Sequence, residues 1–393
     1  MPSEASDRRD TAYLLPFARF QDLLDVLVAA GYGLIGPRVA DGAIIYDEIT
    51  KVEDLPLGVI DTQDGGRYRL EKAEGAFSGA AFAHVVGPHS WKRYLHPPRD
   101  LMWRARRSGH SFTIDPAPEA PPRRAFIGVR SCERHAIEIH DKVFDNGDFA
   151  DPAYAARRAG AFILAVNCAR AGGTCFCASM DTGPHHGDSG YDLLLTEIID
   201  DAGHRFLVTV GSDSGGDILA ALSLRPADAD LHGAAEQQGR KTAASMGRTM
   251  IADAADVLAR NPEHRRWREV ADRCLNCANC TMVCPTCFCS STEDVTSLDG
   301  DIAERWKVWD SCFTVGFSYI HGGSLRRDAA SRYRQWITHK LSHWHDQFGS
   351  SGCTGCGRCI TWCPVGIDIT EEAAAIASDG RTKAASEQAS GEA

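Results

Sequence analysis

Cysteines in two matching runs offer the most chemistry in this chain: Cys274-x2-Cys277-x2-Cys280-x3-Cys284-Pro285 and Cys353-x2-Cys356-x2-Cys359-x3-Cys363-Pro364. Two-residue spacings put three thiolates on one tight loop, where successive backbone N–H groups also point at the same centre. The fourth cysteine starts the next segment, and its proline removes a donor and turns the chain away. Such runs predict two [4Fe–4S] clusters, with the fourth thiol of each run crossing to the other cluster. Cluster A then takes Cys274, Cys277, Cys280 and Cys363, and cluster B takes Cys284, Cys353, Cys356 and Cys359. Two zinc knuckles are the competing reading, but zinc sites use two separated pairs of cysteines rather than four in one run. Such clusters move single electrons, and nothing in the runs offers a substrate pocket, so the expected role is conduction.

Four more thiols lie upstream: Cys132, Cys168, Cys175 and Cys177. Cys132 follows the apolar run 125–129, and Cys168 follows the apolar run 161–166. If both runs are neighbouring strands, all four thiols gather beyond the strand ends, where α/β sheets place ligands. They are either a third iron–sulfur cluster, cluster C, or buried free cysteines acting as small hydrophobes. The Gly172-Gly173 loop and the Cys175-x-Cys177 pair favour the site. A last group is Cys287, Cys289 and Cys312, in which Thr286-Cys287-Phe288-Cys289 repeats Thr174-Cys175-Phe176-Cys177. Three thiols are not a full set of four, so packing beneath cluster B is the favoured reading. His339 and His343 stand four apart, but no third ligand accompanies them, and a surface or packing role is expected.

The elements that must position these residues are legible in outline. A chain of 393 residues, 44% apolar, holds two domains. Residues 1–12 read as disordered, 13–225 as an α/β domain carrying the candidate third site, and 226–272 as a helical connector. Residues 273–378 read as a dicluster domain with a long helical insertion at about 290–350, and 379–393 as a disordered tail. A helical stripe runs from Tyr13 to Ala30. Gly31-Tyr32-Gly33-Leu34-Ile35-Gly36 matches a dinucleotide fingerprint literally, but it ends a helix instead of following a strand, so nucleotide binding is rejected. Gly211 to Gly216 lacks the Lys-Ser/Thr of a phosphate loop. Runs 38–92 read as hairpins, and 121–222 alternates strands with helices.

The bulk properties exclude several classes. A net charge of −11 argues against nucleic-acid binding. The polar start lacks the apolar core of a secretory signal, and no apolar run reaches the roughly 20 residues of a membrane helix. The expected location is the cytoplasm, where fifteen cysteines stay reduced.

Cys274 to Pro285, Thr286-Cys287-Phe288-Cys289, Trp309-Asp310-Ser311-Cys312, His321-Gly322-Gly323 and Gly355-Cys356-Gly357-Arg358-Cys359 with Cys363-Pro364 together resemble a known family. The chain resembles the iron–sulfur β subunits of cytoplasmic sulfhydrogenases, which are NAD(P)-coupled NiFe hydrogenases, and the related iron–sulfur component of anaerobic sulfite reductase. Arg130-Ser131-Cys132, Val166-Asn167-Cys168, Gly173 to Cys177 and Tyr191-Asp192-Leu193 extend the resemblance over roughly 120–372. The resemblance implies a ferredoxin-like dicluster domain in a non-catalytic electron-transfer subunit. Its partners would be a flavin/NAD(P)-binding subunit together with the small and large NiFe hydrogenase subunits, or sulfite reductase subunits. No flavin or nicotinamide site, nickel-binding thiol pair, nucleic-acid surface or membrane segment is expected in this chain. A relay to a sirohaem sulfite reductase is the alternative, and an iron–sulfur redox sensor is a third reading. The sensor lacks a basic output helix, and a thiol–disulfide enzyme lacks a Cys-x2-Cys outside the cluster runs.

Overall fold

The computed structural model describes residues 11–115 and 121–379. Residues 1–10 and 380–393, most of the ends expected to be disordered, lie outside that set. Ala12, assigned to the disordered start, is buried, and its carbonyl accepts Ala227 N at 2.8 Å.

The first departure from the sequence pattern is immediate. Tyr13–Pro16 is a strand, β1, not the opening of a helix; α1 begins at Phe20 and ends at Ala29. Pairing of β1 with a strand near residue 206 overrides the local helical period. Gly31 ends α1 at φ +86°, and Gly33 opens β2 (Gly33–Ala40), so the glycine string joins helix to strand, as its rejection requires.

The main sheet has eight strands. Its parallel centre is β2, then β8 (Arg124–Val129), β9 (Ala161–Val166) and β10 (Leu193–Asp200). Antiparallel partners extend both flanks: β3 (Ala43–Glu48) on one, and β11 (Gly203–Val210), β1 and β12 (Arg225–Pro226) on the other. Alternate side chains fill two opposite cores. Phe162, Leu164, Leu193 and Phe206 pack with Phe20, Leu24 and Leu27 of α1 and with Ile218 of a helix at Asp213–Leu222. Phe126, Ile163 and Ala165 pack the other face with Trp91, Tyr154 and Ile137, the last from the helix Ser131–Phe144, called α2 here. Each such fully buried side chain contributes about 1.5–3 kcal/mol.

Helices Ala229–Ala244, Ala254–Arg260 and Arg266–Ala271 occupy the predicted connector. The insertion is only partly helical. Its first part, Ser290–Thr296 and Ile302–Trp309, is a hairpin (β13, β14) whose inner strand pairs with β6 (Arg99–Ser108), beside β7 (Ser111–Ile114). An insertion from the C-terminal half thus completes a four-stranded sheet begun in the N-terminal half, while β4 (Val59–Asp64) and β5 (Arg67–Lys72) form a separate hairpin. Its second part is the expected helix, Ala329–Thr338 continuing through Trp344–Phe348. This helix supplies Tyr333, Trp336, Ile337 and Leu341 to a core shared with Trp267, Ile360, Ile369 and Ile376.

Candidate iron–sulfur centres

The two cysteine runs fold into loops with the same backbone. Positions two and four residues after the first cysteine are left-handed in both: Asn276 at φ 52° and Ala278 at 64°, Gly355 at 62° and Gly357 at 76°. That alternation turns successive N–H groups inward. Asn276 N donates to Cys274 Sγ at 3.4 Å, Gly355 N to Cys353 Sγ at 3.5 Å and Ile367 N to Cys363 Sγ at 3.3 Å. N–H groups aimed at sulfur favour thiolate, the form that ligates metal.

Cys274, Cys277, Cys280 and Cys363 share one cavity, walled by Phe313, Trp336 and Ile367. Burial raises the Cys280 pKa well above the usual thiol value, and crowding by Cys274, Cys363 and Cys277 raises it further. The second set behaves alike: Cys359 is raised by burial and then by Cys353, Cys356 and Cys284. So Cys363 lies with Cys274, Cys277 and Cys280, and Cys284 lies with Cys353, Cys356 and Cys359. Cys359 also borders the first cavity, which makes the two sets neighbours. Of the fifteen cysteines, Cys277 alone is exposed, flanked by Leu275 at 62% exposure and Val365 at 38%.

Cys132, Cys175 and Cys177 are buried together with Cys356. Cys132 sits in the first turn of α2, not on a free turn, because the helix starts directly after β8. Cys168 follows β9, and it crowds Cys175, whose pKa burial pushes up to about 12. The two crossing segments fit closely. A Cβ on Gly355 would stand 2.6 Å from the Cys177 backbone, and one on Gly357 2.4 Å from Thr174 O. Phe176 N donates to Gly355 O at 2.9 Å.

Buried cations surround these thiols. Arg358 is fully buried, bonds Gly87 O and His89 O at 2.8 Å, pairs with Glu133 and lies within hydrogen-bonding reach of Cys356. Arg130, 1% exposed, bonds Phe82 O and His84 O and reaches Cys168. Arg130 Nη1, Arg358 Nη1, Ser131 Oγ and Thr354 Oγ1 are buried with no hydrogen-bond partner. Donors left over around crowded thiols suit an anionic iron–sulfur group, which would accept their bonds and offset their charge. Glu133 is saturated, accepting Tyr46 Oη, Trp91 Nε1, Arg130 N and the Arg358 guanidinium.

Lys340 serves the Cys284 side. Its Nζ donates to Cys284 Sγ at 3.4 Å, Thr286 Oγ1 at 2.6 Å and Gly352 O at 3.0 Å. A π turn at His339–His343 buries Lys340, Leu341 and Ser342 in succession. Burial opposes the Lys340 charge, but Cys284, Cys287 and Cys353 outweigh it and hold the ammonium above the usual lysine range. The same turn separates the two histidines: His339 is half-buried and His343 exposed. The neighbouring Cys287 thiol holds Cys284 well below the usual thiol value, and the Cys312 thiol holds Cys289 down to about 7. Lys340, Arg130, Arg358 and Glu133 carry no signal in composition or period; Arg358 stands out only by lying inside a ligand run.

Among the described residues, no three His, Cys, Asp or Glu side chains converge tightly enough to grip one metal ion. Cys274, Cys277, Cys280, Cys359 and Cys363 instead line one shared cavity, which suits a polynuclear group. No helix among them is long and apolar enough to cross a membrane.

Comparison with known proteins agrees with this geometry. A family model described as a 4Fe-4S dicluster domain matches residues 273–367. Sulfhydrogenase 2 subunit beta of Pyrococcus furiosus is 30% identical over 284 residues, covering 70% of this chain and 79% of that one. No solved structure matches the chain.

Proposed function

The chain belongs to the family of sulfhydrogenase beta subunits, and from that premise we propose that it is the iron–sulfur electron-transfer subunit of a hydrogenase complex. It would serve between a flavin subunit that exchanges hydride with NAD(P)H and a NiFe hydrogenase module. The observation that carries this reading is the pair of crossed thiol sets on two loops of identical backbone, abutting a third thiol group.

Cys274, Cys277, Cys280 and Cys363 would hold cluster A, and Cys284, Cys353, Cys356 and Cys359 cluster B. Cys132, Cys168, Cys175 and Cys177 would hold a third, cluster C. Bound clusters supply one-electron storage at closely spaced points. The protein supplies the surroundings: inward N–H groups steady the thiolates, Lys340 and Arg358 offset charge near Cys284 and Cys356, and apolar walls exclude water. The exposed Cys277, with Leu275 and Val365 beside it, is where a partner's electron carrier would approach.

Anaerobic purification of the tagged chain from its host, with mass spectrometry of co-purifying chains, tests this. NiFe hydrogenase subunits and a flavoprotein are the expected companions. A sirohaem reductase in their place would assign the chain to sulfite reduction, and a chain purifying alone would overturn the relay.

A further inference from the structure

Cys287, Cys289 and Cys312 remain once the three sets of four thiols are assigned. The sequence favours packing for them, but the structure puts them on the wall of a cavity shared with Arg326, His339, Lys340 and Trp344. We propose that Cys287, Cys289 and Cys312 hold a fourth iron–sulfur cluster beside cluster B, with one iron corner facing this cavity. The proposal rests on the ligand reading above for clusters A to C.

Four observations carry it. First, the thiols are gathered: Cys287, Cys289 and Cys312 line one cavity with Lys340 and Trp344. Second, Thr286 to Cys289 repeats Thr174 to Cys177, and both copies anchor to the same ligand loop. Thr286 Oγ1 donates to Gly352 O at 2.8 Å, and Thr174 Oγ1 meets Thr361 Oγ1 at 2.8 Å. Third, two ammonium groups are buried beside these thiols, Lys92 at 4% exposure and Lys340 at 6%. Lys92 Nζ bonds Cys287 O at 3.2 Å and Met282 O at 3.3 Å, and Lys340 Nζ bonds Cys284 Sγ. Neither forms a salt bridge to a carboxylate among the described residues, so anionic sulfur is the counter-charge at hand. Fourth, the cavity that all three thiols border leaves room for a group larger than a single ion.

The test measures iron, zinc and acid-labile sulfide in the full-length protein purified anaerobically with its partners, as wild type, Cys289→Ser, Cys312→Ser and Cys277→Ala. Each of the two serine variants should lose about four irons per chain while keeping the EPR signals of clusters A and B and the partner chains. Retained partners separate cluster loss from misfolding. Wild-type iron in both serine variants, zinc in place of iron, or loss of cluster B along with the extra iron would each overturn the fourth cluster. Mössbauer spectra of the ⁵⁷Fe-enriched wild type give a count that needs no variant, and an iron total met by clusters A to C together with the iron of the partner chains overturns it too. Cyanide, a small anion that binds open iron, should alter one EPR signal of the wild type and none of Cys289→Ser; no change in wild type removes the open corner. Cys277→Ala separates the two readings: full iron there overturns the ligand assignment of cluster A, whatever the serine variants do.

Discussion

At the residue scale, the side chains that make the thiol sites workable are buried ions. Glu133 and Arg358 are 1% and 0% exposed, and removing one partner of such a pair leaves an uncompensated charge. Glu133→Gln should therefore destabilise the cluster-free protein by about 3–5 kcal/mol, read as a shift of its denaturation midpoint. Neighbouring thiolates share the charge of Arg358 in the loaded protein, so the shift there should be smaller; equal shifts would deny the link to the clusters. Histidines set the acid limit. Burial, then Lys307 and Lys92, hold His96 down to about 3, so it stays neutral in the fold. The unfolded chain binds that proton below the ordinary value of 6.5, so stability is full above it and drains away as pH falls toward 3. At pH 5.5 the cost is about 1.4 kcal/mol, and His96→Asn should flatten the melting-temperature slope between pH 7 and 5.5. The two cysteine runs were readable in the sequence because their spacing is itself the signal of a dicluster domain. Glu133, Arg358 and Lys340 were not, because a buried ion is defined by partners distant in the chain, 225 residues away for Glu133 and Arg358.

At the element scale, the two ligand loops share one backbone but not one composition. The second loop must use glycine at 355 and 357, where a Cβ would strike the 174–177 segment. The first loop carries Asn276 and Ala278 in the same left-handed positions. Alanine there is strained by roughly 1–2 kcal/mol, so Ala278→Gly should raise the melting temperature of the loaded protein with its iron content unchanged. Gly355→Ala should do the reverse and, by pushing on the Cys177 backbone, loosen cluster C before cluster A; iron content and EPR of the variant read the order of loss. Elements held by local chemistry were legible: strands β8 and β9, the helix after Cys132 and the helix from Ala329 all lie where the periodicity puts them. Those held by distant pairing were not. β1 is a strand because β11 and β12 bracket it, and the 290–309 hairpin exists because β6 offers it an edge.

At the scale of the whole molecule, the N-terminal sheet and the dicluster region interlock. Arg248 joins Asp64 and Asp368 at 2.7 and 2.6 Å, Gly66 N donates to Ile360 O at 3.1 Å, and Glu133 meets Arg358. The thiols continue this joint, because Cys356 of the dicluster region is buried together with Cys132 at the end of β8. With its thiol bare, Cys277 marks the end where one of the two redox partners would dock. Leu275 and Val365 at that end expose apolar surface that a monomer gains nothing by exposing. Leu275→Glu puts a charge into that contact without touching a ligand thiol. Co-purification of partner chains should fall at least tenfold, about 1.4 kcal/mol of binding, while iron content and EPR signals stay as in wild type. Unchanged co-purification would move the docking face elsewhere, and the four-stranded sheet that displays Met102, Phe112 and Ile114 would be the next surface to vary.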